Sequence, residues 1–298
     1  SPLGIRAPWP EGCAIADTCR VAFVLGGGGG PLGAHEVGML RALVERGIVP
    51  DLVLGTSVGA INGVAVAADP TVGGVERLAR AWSDIDRAKV FDESILRRLA
   101  TLARSRTHLH ANEPLRALLA GLLAVDRIED LAVPFQCVAA SVERACEHWF
   151  DAGPIVDAVV ASASVPGLLP PVEIGGEHFI DGGIVNSIPV RRAIELGAQR
   201  IFVLHVGRLD RPLEPPRSPW EVALVAFEIA RRHRFIGELA ALPETVEAHV
   251  LKTGERVPPR FTDRSQLRYR DTSQAAERIA RAHEASARYL DEHGLGAA

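Results

Sequence analysis

The sequence predicts an α/β fold around a mostly parallel central sheet, and three observations carry that expectation. Short apolar runs of strand length alternate with helical patterns along the chain. The run "VAFVL" passes through five glycines in a row into the helix-like "AHEVGMLRALVER". The run "LVL" breaks at Gly55 and leads into "VGAINGVAVAA", a small-residue helix that can press close to a sheet.

The elements follow in order. Residues 1–19, with three prolines and two cysteines, read as an irregular lead-in. A strand over Val21–Leu25 precedes the glycines and a helix over Ala34–Arg46 follows them. Leu52–Leu54 forms a second buried strand and Val58–Ala68 the next helix. Val75 to Leu123 is helical in pattern, with Asn112 a candidate N-cap and Pro114 inside the first turn after it. "PFQCVAASV" is a strand, and "EHWFD" a short one paired near it. "PIVDAVVASASVP" is a helix halted by Pro166, and "EHFIDGG" a strand that ends in a turn. "IPVRRAIELG" is a helix ending at Gly197, and "RIFVLHV" a further buried strand. Past the proline-rich "RLDRPLEPPRSP" come an amphipathic helix over Trp220–Leu242, the strand "EAHVLK" and a helix over Ser273–Leu290. The elements beyond the proline bridge would make a poor core alone. Residues 20–208 are therefore expected to form the catalytic domain, with 209–298 a C-terminal helical extension packed on it.

Bulk properties narrow the function classes. The 298 residues are 47% hydrophobic and 23% charged, as in soluble globular proteins, and can bury a sizeable core. A net charge of −4 argues against nucleic acid as the main partner. Cys13, Cys19, Cys137 and Cys146 match no zinc or redox spacing, so reduced thiols are expected, a Cys13–Cys19 disulfide being the alternative. There is neither a stretch of about 18 apolar residues nor a cationic start before an apolar core. A cytoplasmic location is expected on that ground, with peripheral membrane contact as a variant.

The glycine run suits an anion held on backbone N–H groups, and the question is which anion. Gly28, Gly30 and Gly33 fit the dinucleotide pattern, but the acidic residue wanted at the end of the second strand is missing, since Asp51 stands at its beginning. A phosphate loop would need Lys and then Ser or Thr after Gly33, where the chain has Ala34 and His35. What ends the second strand is Gly55-Thr56-Ser57-Val58-Gly59, a tight strand-to-helix turn that exposes a serine hydroxyl. That serine needs a base. His205, His249, His283 and His293 lie downstream, none in a distinctive context, and only one strand precedes the elbow. A carboxylate acting directly is left, and Asp181, on a glycine turn after "HFI", can project into the same cleft. Desolvation there would raise its proton affinity. The glycine loop then has a role: N–H groups of Gly28, Gly29 and Gly30 suit the oxyanion of acyl transfer.

Together the three motifs resemble those of the patatin-like phospholipases. Gly28-Gly29-Gly30-Pro31-Leu32-Gly33, Gly55-Thr56-Ser57-Val58-Gly59 and Asp181-Gly182-Gly183 stand in the family's order, with "ASASVPGLLPPV" similar to the segment ahead of its aspartate. The resemblance, over roughly Arg20 to Val206, implies a three-layer α/β/α fold with Ser57 as nucleophile and Asp181 as base. It also implies hydrolysis of fatty acyl esters without metal or organic cofactor. Leu32 departs from the pattern, because the family usually has a basic residue there. That makes headgroup selectivity weak by expectation, and motivates the alternative of a lipid-binding or regulatory protein with poor turnover on the same fold.

The helix "PWEVALVAFEIARRHRFIGELAAL" allows two readings. Trp220, Leu224, Phe227 and Ile229 beside Arg231–Arg234 suit a membrane interface. The favoured reading is a helix whose apolar side closes the core, with the arginines on a solvated face.

Overall fold

The computed structural model describes residues 20–28, 30–84, 110–206, 212–255 and 274–296. The expected lead-in with Cys13 and Cys19, and Gly29 of the glycine loop, lie outside the described residues. In chain order the described elements are β1 (Val21–Leu25), α1 (Ala34–Glu45), β2 (Leu52–Thr56), α2 (Val58–Ala68), α3 (Val72–Asp84) and α4 (Glu113–Leu122). Then come β3 (Phe135–Ser141), β4 (Cys146–Phe150), α5 (Ile155–Ser162), β5 (Val172–Ile174) and β6 (Glu177–Asp181). The last are α6 (Val190–Glu195), β7 (Arg200–Leu204), α7 (Pro219–Ala240), β8 (Glu247–Val250) and α8 (Ala275–Glu292).

The strands form one sheet in the order β5-β6-β3-β2-β1-β7-β8, with β4 paired to β3 off that path. From β3 to β8 neighbouring strands are parallel, while β4, β5 and β6 join antiparallel. Successive side chains of a strand point to opposite faces, and here both faces are covered. Phe23, Leu25, Val53, Phe202 and Leu204 face a large core closed by α1, α2, α3, α5 and α8. Ala22, Val24, Leu52, Leu54, Ile201 and Val203 face a smaller one closed by Val190 and Ala193 of α6 and Phe235 of α7. The architecture is therefore three-layered, helices on each side of an open, mostly parallel sheet.

Several details differ from the sequence expectations. Asn112 sits at the N-cap position of α4 but in a helical conformation, and its side chain caps nothing. The helix expected to run to Pro166 stops at Ser162, and Ser164 turns its hydroxyl back onto the Val160 carbonyl at 2.8 Å. β5 was not expected at all; it is a three-residue strand that pairs, among the described residues, with β6 alone. Of the expected helical stretch Val75–Leu123, residues 85–109 lie outside the described residues.

Candidate active site

Sheet register alone brings Ser57 and Asp181 together. β4 pairs with Cys137–Ser141 of β3, so β2 and β6 share the opposite edge of that strand. β2 runs parallel to β3 and ends with Thr56 opposite Val138. β6 runs the other way and ends with Asp181 opposite Ala139, the next residue. The two strands thus meet head to head on one edge. Each chain must turn out of the sheet there, β2 into Ser57 and β6 into a 3₁₀ turn over Gly182–Ile184.

The turn at Ser57 is tight. Its φ of 56° and ψ of −121° lie in a region that side-chain-bearing residues rarely adopt. The flanking glycines are required by close approach: a Cβ on Gly55 would stand 2.6 Å from Ala60 Cα, and one on Gly59 would stand 2.3 Å from the Leu25 carbonyl oxygen. The elbow is braced by the Ser57 N–H, which donates to Ser162 Oγ at 3.0 Å, and by the Thr56 hydroxyl, which donates to the Asn186 carbonyl at 2.9 Å. α2 begins at Val58 and directs the positive end of its dipole toward the serine.

Ser57 Oγ donates to Asp181 Oδ2 at 2.6 Å. The other carboxylate oxygen accepts from the Gly183 N–H at 2.7 Å, and the Asp181 N–H donates to the Ser164 carbonyl at 2.9 Å. Burial pushes the Asp181 carboxyl up to about 6, with the hydrogen bonds from Ser57 and Gly183 pulling the other way. A carboxyl poised there changes charge near neutrality.

The glycine loop lies beside this pair. A Cβ placed on Gly27 would be 3.5 Å from Ser57 Cβ. The Gly26 N–H donates to the Leu204 carbonyl at 2.9 Å and the Gly27 N–H to the Ser187 carbonyl at 2.8 Å, so both are already engaged. Among the described residues no backbone acceptor takes the Gly28 N–H. Gly30–Gly33 form a 3₁₀ turn into α1. Its far end is held by Asn62, whose Nδ2 donates to the Gly33 carbonyl at 3.0 Å and to Glu36 Oε2 at 2.7 Å. Trp82 Nε1 donates to Asn62 Oδ1 at 2.8 Å. Glu36 is fully buried, and desolvation raises its proton affinity well above that of an ordinary carboxyl.

Ser162, Ser164, Asn186, Ser187 and Asn62 are site-forming residues that sequence reasoning missed; each acts through a tertiary contact that no local pattern announces. The histidines lie elsewhere. His283 Nε2 is 2.6 Å from Glu45, His249 stacks on Phe202, and His293 stacks on Tyr289. His205 is buried behind Gly26, and desolvation, Arg231 and Arg232 depress its proton affinity well below the usual imidazole range.

Two of the three clustered arginines of α7, Arg231 and Arg232, leave the solvated face expected from sequence, while Arg234 stays on it. Arg231 and Arg232 both reach Glu228, which is 1% exposed, with Arg231 Nε 2.9 Å and Arg232 Nε 2.8 Å from its oxygens. Helical spacing of three and four residues lets one carboxylate serve both. The same helix leaves Val222, Phe227, Ile229 and Ile236 exposed, while Val225 and Phe235 turn inward. The core-closing reading therefore holds for one side of α7 only. Among the described residues no helix is long and apolar enough to cross a membrane, and no group of three or more His, Cys, Asp or Glu could hold a metal. Cys137 is buried and Cys146 exposed, both as free thiols.

Comparison with known proteins places these features in a family. The profile described as "Patatin-like phospholipase" matches residues 23–194. Lysophospholipase nte1 of Emericella nidulans is 34% identical over 190 residues, which is 64% of this chain and 12% of that protein. Lysophospholipase NTE1 of Saccharomyces cerevisiae is 31% identical over 205 residues, 67% of this chain and 11% of that protein. Patatin-like phospholipase domain-containing protein 7 of Rattus norvegicus is 29% identical over 192 residues, 64% of this chain and 14% of that protein. The chain thus matches between 11% and 14% of the length of these relatives. Among solved structures, VipD from Legionella pneumophila aligns over 93% of this chain and 68% of its own, at 14% identity and a TM-score of 0.47. Human GIVD cytosolic phospholipase A2 aligns over 93% of this chain and 58% of its own, at 13% identity and a TM-score of 0.46. The family profile spans more than half of the 298 residues, and the chain belongs to the patatin-like phospholipase family.

Proposed function

We propose that the chain is a serine acyl hydrolase that cleaves fatty acyl esters of lipids, with Ser57 as nucleophile and Asp181 as its base. The observation that carries this reading is the 2.6 Å hydrogen bond from Ser57 Oγ to a buried carboxylate, made at a strained strand-to-helix turn. As carboxylate, Asp181 accepts the serine proton while Oγ bonds to the acyl carbon and the carbonyl electrons move onto oxygen. N–H groups of the Gly28–Gly30 loop donate to that oxyanion. Collapse expels the alcohol, which takes the proton from Asp181 and leaves the acyl group on Ser57. Water then repeats the cycle through Asp181 and releases the fatty acid.

The names of the relatives support a lipid as the acyl donor. Residues 20–208 are the catalytic domain in this reading, and 209–298 the extension packed on it. The exposed Val222, Ile229 and Ile236 lie seven residues apart on one face of α7 and support peripheral contact with a lipid surface. Leu32 places no charge at the loop, so neutral and anionic long-chain esters are expected to turn over equally.

The test is hydrolysis of p-nitrophenyl esters of graded chain length by wild type, Ser57→Ala and Asp181→Asn, with fluorophosphonate labelling of Ser57. Activity and label in wild type, both lost in Ser57→Ala, are expected. A folded wild type that neither turns over ester nor takes the label would favour a lipid-binding protein. Strict dependence on a phosphate headgroup would sink the prediction about selectivity.

A further inference from the structure

The buried ion cluster of α7 touches the glycine loop. Arg231 Nη1 donates to the Gly27 carbonyl at 3.1 Å, across 204 residues of sequence. The rest of its guanidinium is fixed: Nε and Nη2 each donate to Glu228 at 2.9 Å, a two-pronged grip on one carboxylate. Glu228 also holds Arg232, and the Arg231 side chain is only 7% exposed. The outer prong therefore points at the loop from a rigid, desolvated base.

Gly27 is consequently gripped at both ends of its residue, its N–H by the Ser187 carbonyl and its own carbonyl by Arg231. In a trans peptide the carbonyl of one residue and the N–H of the next point in opposite directions. Fixing the Gly27 carbonyl therefore fixes the direction of the Gly28 N–H. Glycine adopts either sign of φ readily, so a run of glycines does not hold that plane by itself. A cationic donor on the carbonyl also polarises the peptide and strengthens the N–H as a donor.

We infer that Arg231, anchored by Glu228, is a positioning residue that orients and polarises the Gly27–Gly28 peptide as an oxyanion donor. The inference rests on the hydrolase reading above. Arg231 also gives the loop a side-chain donor whose charge is paired by Glu228, where Leu32 offers none. Loss of Arg231 removes transition-state stabilisation and leaves substrate binding in place.

The experiment compares wild type, Ser57→Ala, Arg231→Ala and Arg231→Lys on p-nitrophenyl butyrate, with affinity for an alkyl trifluoromethyl ketone measured in parallel. Arg232 still pairs Glu228 in Arg231→Ala, and thermal unfolding reports whether that variant folds. Expected for Arg231→Ala is a fall in kcat of about ten- to hundredfold with KM within about twofold, matched by weaker ketone binding and partly reversed by millimolar guanidinium. Arg231→Lys should lie between. A kcat kept within about twofold, or lost with ketone affinity unchanged, overturns the inference. Wild-type activity that survives Ser57→Ala, or no activity at all, refutes the hydrolase reading itself. Hydrogen exchange at residues 26–28 then decides the remaining point: equal rates in wild type and Arg231→Ala overturn the positioning role, and faster exchange in the variant supports it.

Discussion

The turns that leave the neighbouring strands β1 and β2 are built in opposite ways. After β2, the glycines of the elbow are pressed against backbone: Gly55 against Ala60, and Gly59 against the end of β1. After β1, the glycines of the loop are pressed against side chains, Gly27 against Ser187 Oγ and Gly28 against a methyl of Val206. Backbone cannot move aside, but a methyl group can. The elbow is thus locked chiefly by backbone packed against backbone, with Ser162 and Asn186 bracing it, whereas the loop is held by ties at Ser187, Arg231 and Asn62. In the proposed mechanism, nucleophile placement then belongs to the fold, and oxyanion placement to contacts that can be removed one at a time.

The largest expected effect falls on the pair that the elbow presents. Ser57→Ala and Asp181→Asn should each lower kcat by about three orders of magnitude or more with unfolding temperature no lower than wild type. Residual turnover above a tenth of wild type in either variant would mean that another group supplies the chemistry. Next come the glycines, where the contrast is sharpest. Gly59→Ala drives a Cβ to 2.3 Å from the Leu25 carbonyl and should cost about 3 kcal/mol of stability, with activity lost in proportion. Gly28→Ala drives a Cβ to 2.0 Å from Val206 Cγ2, a clash that rotation of Val206 about χ1 can relieve, and should cost about 1–2 kcal/mol while lowering kcat about tenfold. Denaturant melts paired with kinetics check both, and equal destabilisation would erase the distinction between the turns.

A third prediction uses protons. If Asp181 is the base it must be ionised, so kcat/KM should rise with pH through a midpoint near the value of about 6 to which its carboxyl is pushed, then level off. Stability moves the other way: the folded carboxyl binds its proton more tightly than the unfolded one, whose value is 3.8. This group is therefore harmless below pH 4 and penalises folding increasingly up to pH 6, by on the order of 3 kcal/mol. Comparing wild type with Asp181→Asn across that window isolates the term, and parallel stability curves for the two proteins would remove it. The smallest effect on chemistry is expected at the outer face of α7. Ile229→Asp and Ile236→Asp should change stability by no more than about 0.5 kcal/mol and leave p-nitrophenyl butyrate turnover intact. They should reduce sedimentation with phosphatidylcholine vesicles several-fold; unchanged sedimentation would dismiss α7 as a lipid contact.

The same contrast explains what could be read from the sequence. Alternating apolar runs and helical patterns disclosed most strands and helices, because a buried parallel strand needs an unbroken apolar run. Gly55 and Gly59 were legible because the constraint on them comes from residues within five positions or from the adjoining strand. Asp181 was legible as a carboxylate on a glycine turn, but its meeting with Ser57 depends on two strands sharing one edge of β3, which no spacing encodes. β5 was too short to carry a period. The burial of Arg231 and Arg232 was misjudged because exposure was assumed from charge alone, whereas Glu228 draws both inward. That carboxylate lies in the same helix, so the signal was local, yet only the sheet beneath determines which side of the helix faces in.

The family profile ends at residue 194, and α7 begins at residue 219. A protein can therefore keep every motif residue and still vary the tie at Gly27, since the arginine that makes it belongs to a stretch the profile does not reach. Rate and recognition by motif would then be inherited separately. Two chains indistinguishable through the matched region could differ in speed because of one side chain on a distant helix, and a library confined to residues 23–194 would never sample it.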